Sequence, residues 1–344
     1  MNDSMVMPMD PDAVDTVERV PHGSSDDPDI LDFSANINPR IPTGVEAVYR
    51  DALELSGTYP PDDYPEYRAE ASNYVDCTPE EVVPTPGGLA AIRLTIETTV
   101  SADDSVLVPF PSFGEYHREV CLQGATPEFV PHDRILETDP TDHALVVVCN
   151  PNNPTGDLYD ADALRRYAGQ CRDAGTTLLV DEAFLGFTEQ ESIAGQVGVV
   201  VARSLTKLFG LPGLRAGFAV TTGPARNRLE IARRAWTLGT PAAAVGTYSM
   251  RCTEFITETR DRVQNEYSRM CDTLAGSFNV HPSDAPFLLL DVGERDPNKI
   301  VRTARKRGVA VRDATTFRGL DSHIRVAVRL PDENDQLLDV LDDV

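Results

Sequence analysis

Five short, almost wholly apolar runs in the middle of the chain place the tightest limit on how it folds. Val106-Leu-Val108, Leu145-Val-Val-Val148, Thr177-Leu-Leu-Val180, Val199-Val-Val201 and Gly217-Phe-Ala-Val220 are too short for buried helices and lack the polar alternation of a half-exposed strand. They read as strands covered on both faces. Helical patterning fills the intervals near 89–100, 114–123 and 160–174. Strands that alternate with helices build a parallel sheet between helical layers, so the predicted fold is an α/β three-layer sandwich with a mostly parallel central sheet. From about 242 a long helical stretch leads to strands near 287–291 and 323–329 and helices near 297–307 and 333–342, expected to form a smaller α+β domain. The predicted division is an N-terminal arm and small-domain segment (1–47), a large domain (48–240) and a C-terminal small domain (241–344). Ligand clefts form readily at such junctions.

The charge balance narrows the function. Against 55 acidic residues stand 31 Lys and Arg, a formal net charge of −24, which argues against nucleic-acid and anionic-membrane partners. A strongly acidic, lysine-poor surface also fits a halophilic protein, soluble in a salty cytoplasm where screening shortens self-repulsion. The six cysteines form no close pair and read as reduced thiols. The six histidines make no metal-ligand spacing, so no metal is expected. No apolar run approaches the roughly 18 residues of a membrane span, and residues 1–10 lack a basic leader. A cytoplasmic location is expected.

In open α/β sheets ligands gather at the carboxyl ends of the strands, and unusual side chains cluster after several of the apolar runs. After Val199-Val-Val201 comes Ser204-Leu-Thr-Lys-Leu-Phe-Gly-Leu-Pro-Gly-Leu-Arg215. Partial burial and Arg215 would both lower the pKa of Lys207, suiting its amine to attack an aldehyde. Ser204 and Arg215 would hold a phosphate on the same cofactor. Ser-x-x-Lys is also a serine acyl-transfer pattern, but the Ser-Asp-Asn and Lys-Thr-Gly companions are absent. Asp181 closes the third run, where a carboxylate beside a pyridine nitrogen would keep it protonated; alone, such a residue often only caps the next element. Asn153, in Asn150-Pro-Asn-Asn-Pro-Thr-Gly156, suits a donor to the ring's phenolic oxygen, though Asn-Pro is also an ordinary turn. In Thr85-Pro-Gly-Gly-Leu89, Gly87, Gly88 and Leu89 precede a helix whose first N–H groups can cradle phosphate. Phe113 is placed to stack on a ring or to pack in the core.

In this order along the chain these residues resemble the fold-type I pyridoxal-phosphate enzymes of the class I/II aminotransferase family, over about residues 22 to 330. The resemblance implies pyridoxal 5'-phosphate as cofactor, bound in the large domain and linked to Lys207. Asp181 would then meet the pyridine nitrogen, Asn153 the 3'-oxygen, and Ser204, Arg215, Gly88 and Leu89 the phosphate. Tyr59, in Thr58-Tyr-Pro-Pro-Asp62, matches a family tyrosine that reaches the neighbouring subunit's cofactor, which implies a homodimer. Arg325, in Ile324-Arg-Val-Ala-Val-Arg-Leu330, matches the arginine that clamps a substrate carboxylate; Arg329 shares its strand parity.

Within the family three details resemble the threonine-phosphate decarboxylases of cobalamin biosynthesis more than the histidinol-phosphate aminotransferases. They are His22-Gly-Ser24 ahead of Asp32-Phe-Ser-Ala-Asn-Ile-Asn-Pro39, Phe184 where many aminotransferases keep tyrosine, and the second arginine at 329. Ser24, where the decarboxylases usually have glycine, and Ala90, where relatives often have an acidic residue, depart from the pattern. The implied reaction converts L-threonine O-3-phosphate to (R)-1-amino-2-propanol phosphate, with His22, Gly23, Asn36 and Arg329 holding the substrate phosphate. The alternative is transamination of histidinol phosphate or another amino acid. A non-catalytic descendant of the fold is disfavoured by the intact Lys207 and Asp181.

Overall fold

The computed structural model describes residues 9–342. Its first strand is the short β1 (Leu31–Asp32). Seven strands then form the main sheet: β2 (Val82–Thr85), β3 (Ser105–Phe110), β4 (Thr126–Pro131), β5 (Leu145–Cys149), β6 (Thr177–Asp181), β7 (Val199–Ser204) and β8 (Gly217–Val220), in the order β2-β8-β7-β6-β5-β3-β4. All five apolar runs of the sequence lie in this sheet. Neighbours from β7 through β4 pair in parallel, while β8 pairs antiparallel with both β7 and β2.

Along β5 the burial is complete on both faces, but the two sets of side chains enter different cores. Leu145 and Val147 join one cluster with Val106, Val108, Leu179 and Val200; Val146 and Val148 join the other with Leu178, Val180 and Val201. That split is the period-two geometry of a strand with a helical layer on each side. Helix Gly88–Thr99 covers the first face through Ala91, Ile92 and Ile96. Helix Ala161–Ala174 covers the other through Leu164 and Tyr167, started by the Asp160 side chain accepting from Ala163 N (2.8 Å) and ended by left-handed Gly175. Each fully buried Val, Leu or Ile here contributes about 1.5–3 kcal/mol.

The C-terminal segment builds a four-stranded antiparallel sheet, β12-β13-β10-β9, from β9 (Asn279–Val280), β10 (Phe287–Asp291), β12 (Arg312–Asp313) and β13 (His323–Ala327). The remaining strand, β11 (Val309–Ala310), pairs in parallel with β1. Two expectations need correction. The single helical stretch from 242 is two helices, Thr240–Met250 and Thr253–Leu274, broken at Arg251-Cys252, where neither Gly nor Pro marks the break. The last strand ends at Ala327, so Arg329 lies beyond the reach of strand parity. Residues 20–23 return to the mouth of the cavity described next.

Candidate active site

A cavity of about 360 Å³ opens where the carboxyl ends of β2, β3, β5, β6 and β7 face β12, β13 and the arm. Its size lies within the usual range for small-molecule sites, about 300–1,000 Å³. Arg215 reaches it by a different route. It precedes β8, and because β8 runs against β7, with Gly217 opposite Ser204, the start of β8 lands beside the end of β7.

Lys207 lines this cavity. Its amine is pushed down to about 8, first by burial, then by the nearby charges of Arg325 and Arg215, with Asp181 pulling the other way. A useful fraction of the amine is therefore neutral, and nucleophilic, near physiological pH. Asp181 ends β6 and is buried. Burial pushes its carboxyl up, opposed by hydrogen bonds from Tyr116 and Ala183 and by the charges of Lys207 and Arg203. Tyr116 Oη donates to Oδ2 at 2.6 Å, and Ala183 N donates to Oδ1 at 3.0 Å.

Gly87, Gly88, Ser204, Thr206 and Arg215 converge at the start of helix Gly88–Thr99. The first N–H groups of a helix lack intrahelical acceptors. Gly87 sits at φ +95°, and a Cβ there would come within 2.7 Å of Arg215 Nη2. A Cβ on Gly88 would press on Ser204 Cβ at 3.1 Å. The Ser204 and Thr206 hydroxyls stand 2.8 Å apart. Arg215 itself holds a left-handed backbone, φ +54°, rare for a residue with a side chain. Glycine backbone, two hydroxyls and a guanidinium thus surround a space suited to a phosphate.

The loop after β5 is fixed by Asn152, which accepts from Ser112 Oγ at 2.9 Å and donates to Pro111 O at 3.0 Å and Thr155 Oγ1 at 2.9 Å. It places Asn153 on the cavity wall, where Asn153 Oδ1 accepts from Arg325 Nη1. Arg325 Nη2 donates to Ser34 O at 3.1 Å, and its Nε is buried with no partner among the described residues. Burial, and then the charge of Arg312, bring this guanidinium down to about 9. Arg312 lies opposite Arg325 in the β12–β13 register and also lines the cavity. It donates to Pro21 O and Thr316 Oγ1, both at 2.8 Å. Among the described residues neither arginine has a carboxylate partner. The arrangement favours a ligand with two anionic groups.

Of the residues singled out in the sequence, Lys207, Asp181, Gly88, Leu89, Phe113, Asn153, Ser204, Arg215, Arg325, His22, Gly23 and Asn36 line the cavity, and Gly87 adjoins it through Arg215. Arg329 does not. Its guanidinium is occupied by Glu333 at 3.0 Å and by Asp32 O at 3.2 Å. Tyr59 also stands outside, exposed and stacked on Trp236 with ring centroids 4.3 Å apart. Sequence reasoning missed Arg312, Thr206 and Tyr116. Thr206 adjoins Lys207 and was within reach of the motif; Tyr116 reads as helix core and Arg312 as a surface charge.

A lysine after β7, a carboxylate at the end of β6 and an anion cradle after β2 in one cleft define the class of fold-type I enzymes that carry a phosphorylated aldehyde on a lysine. Comparison with known proteins agrees. Residues 28–341 match the family described as aminotransferase class I and II, and the chain belongs to that family. It is 28% identical to histidinol-phosphate aminotransferase 1 of Archaeoglobus fulgidus over 325 residues, covering 92% of this chain and 99% of that one. It is 29% identical to the threonine-phosphate decarboxylase of Salmonella typhimurium over 334 residues, covering 92% and 91%. The crystal structure of histidinol-phosphate aminotransferase from Sinorhizobium meliloti in complex with pyridoxal-5'-phosphate superposes with a TM-score of 0.80 at 19% identity, covering 90% of each chain.

The family depends on pyridoxal 5'-phosphate. The residues present fit that group: the glycine cradle is open where a Cβ would intrude, and the amine of Lys207 is lowered into a reactive range. No group of three or more His, Cys, Asp or Glu among the described residues is arranged to hold a metal, and no described helix is long and apolar enough to cross a membrane.

Proposed function

We propose that this protein is a pyridoxal-phosphate-dependent decarboxylase of L-threonine O-3-phosphate, yielding (R)-1-amino-2-propanol phosphate. The observation that carries the reading is the register pair Arg312–Arg325, two cavity arginines without carboxylate partners, 13 residues apart in sequence and side by side in space. Phosphothreonine carries two anionic groups, a carboxylate and a phosphate. Histidinol phosphate carries only the phosphate, whereas the keto acid an aminotransferase would use, such as 2-oxoglutarate, also carries two anionic groups, so the acceptor-free assay separates the two readings.

When bound, the cofactor supplies an electron sink for the pair left on Cα as the carboxylate departs. The chain's own residues do the rest. Arg325 holds the carboxylate in a bidentate grip and, being fixed by Asn153 and Ser34, sets its direction. Arg312 takes the phosphate in place of the Arg329 expected from sequence, with His22, Gly23 and the Nδ2 amide of Asn36 completing the pocket. Asp181 offers a carboxylate to the ring nitrogen, and Asn153 its Nδ2 to the 3'-oxygen. Breaking the Cα–carboxylate bond releases CO2; Lys207, displaced by the substrate's amino group and carrying the proton which that group gives up, would then return a proton to Cα. Phe113 and Phe184 line the cavity with apolar surface and limit access of water. Tyr59 contributes to a second subunit's site in a homodimer.

Incubating the purified holoenzyme with O-phospho-L-threonine and no keto-acid acceptor tests the reading. Release of CO2 with stoichiometric aminopropanol phosphate is expected. No CO2, together with amino transfer from histidinol phosphate to 2-oxoglutarate, would replace it with the aminotransferase activity.

A further inference from the structure

We propose that Tyr116 is a positioning residue that acts through Asp181, holding the carboxylate ionised and aimed so that it governs the protonation of the cofactor's ring nitrogen. This inference rests on the placement of Asp181 against that nitrogen.

Tyr116 lies on helix Glu115–Leu122, behind the cavity wall and completely buried. Its ring packs edge-on against Phe113, with centroids 5.5 Å apart and planes at 84°, so its direction is fixed by the wall itself. Its hydroxyl donates to Asp181 Oδ2 at 2.6 Å, the length of a charge-assisted O–H···O⁻ bond. The other carboxylate oxygen, Oδ1, accepts from Ala183 N at 3.0 Å. Each oxygen is therefore anchored by one donor and keeps acceptor capacity for a third, and Asp181 faces the cavity where that third donor would arrive.

Two opposing effects act on the carboxylate. Burial favours its neutral form; a donated hydrogen bond favours the ionised form. The phenol is a dependable donor, because burial and the neighbouring Asp181 hold it far from ionisation. Without it, Asp181 would keep only the backbone N–H of Ala183 as a direct hydrogen-bond donor among the described residues. The same acid group would then stabilise a cationic ring less well, and the ring nitrogen would lose its proton at lower pH.

The test uses holoenzyme loaded with cofactor labelled with ¹⁵N in the ring, whose NMR shift reports protonation directly and requires no substrate. Tyr116→Phe keeps the ring packing and removes only the hydroxyl. It is expected to lower the pH at which the ring nitrogen deprotonates by about one unit and to weaken cofactor binding about tenfold, the scale of one hydrogen bond to a charged group. Placing 3-fluorotyrosine at 116, a stronger donor of nearly the same shape, is expected to move the titration the other way, and this arm stands even if Tyr116→Phe folds poorly. Unchanged titration in both proteins would overturn the role of Tyr116. Asp181→Asn separates the layers: if it shifts the titration and the Tyr116 changes do not, Tyr116 is only packing; if it does not, the placement of Asp181 fails and this inference with it. The identity of the substrate plays no part in either result.

Discussion

Replacing Arg325 by methionine, a side chain of similar length without charge, sets catalysis and stability against each other. In the folded protein this guanidinium is held down to about 9 by burial and by Arg312; the gap from its ordinary value corresponds to roughly 5 kcal/mol that folding spends on an unneutralised cation. Removing it recovers that cost. It also strips donors from Asn153 Oδ1 and Ser34 O, two hydrogen bonds from a charged group worth roughly 1.5–3 kcal/mol each. The two effects nearly cancel, so stability is expected to stay within about 2 kcal/mol of the parent protein, unlike the roughly 3–5 kcal/mol lost when one member of a buried ion pair is removed. Catalysis has no such compensation. Losing the buried partner of a substrate carboxylate costs roughly 2–5 kcal/mol, a fall in kcat/KM between about 30-fold and several thousand-fold. The amine of Lys207 should rise as well, since Arg325 is the largest cause of its lowering after burial. Urea unfolding and steady-state kinetics on the same preparation decide the matter. A fall in kcat/KM of less than about tenfold, or a stability loss equal to that of a broken ion pair, would refute the reasoning.

Arg312→Met is expected to raise KM for phosphothreonine at least about tenfold, whereas Arg329→Gln, whose parent side chain is engaged by Glu333 outside the cavity, should change KM less than about twofold; the reverse ranking would restore Arg329 to the site. Gly87→Ala should weaken cofactor binding severely in equilibrium dialysis, because the residue needs φ +95° and its new methyl would meet Arg215; parent-like affinity would argue against the cradle. In the cofactor-free protein the reaction of Lys207 with a simple aldehyde should rise with pH through about 8 and level off above it. The linked stability has a definite sign: a lysine lowered on folding costs stability that is fully present below about 8 and is relieved as pH climbs toward the amine's ordinary value. An aldehyde-reaction midpoint near the ordinary lysine value would contradict that environment.

The main sheet was readable because continuous apolar runs have few other uses in a chain of this size, and the ends of helix Ala161–Ala174 carried Asp160 and Gly175 as start and stop. Strand direction was not readable. A period of two is the same both ways, so nothing in Gly217–Val220 revealed that β8 runs against its neighbours, the feature that delivers Arg215 to the cavity. Groups concentrated in one loop, such as Ser204 through Arg215, were found together because local spacing keeps them together. Arg312 was missed because its neighbour Arg325 is joined to it only by strand pairing, while Arg329, a candidate through the resemblance alone, lies two residues past the end of β13 and is engaged by Glu333. Tyr116 carries no sequence signal at all, since the buried face of a helix looks alike whether it packs or donates.

The proposed covalent role of Lys207 is open to a clean test, because the chain has only three lysines, at 207, 299 and 306. Reducing the cofactor-loaded protein with borohydride and mapping the peptides by mass spectrometry should place the phosphopyridoxyl group on Lys207 alone. Its recovery on Lys299 or Lys306, or on no lysine, would contradict the account.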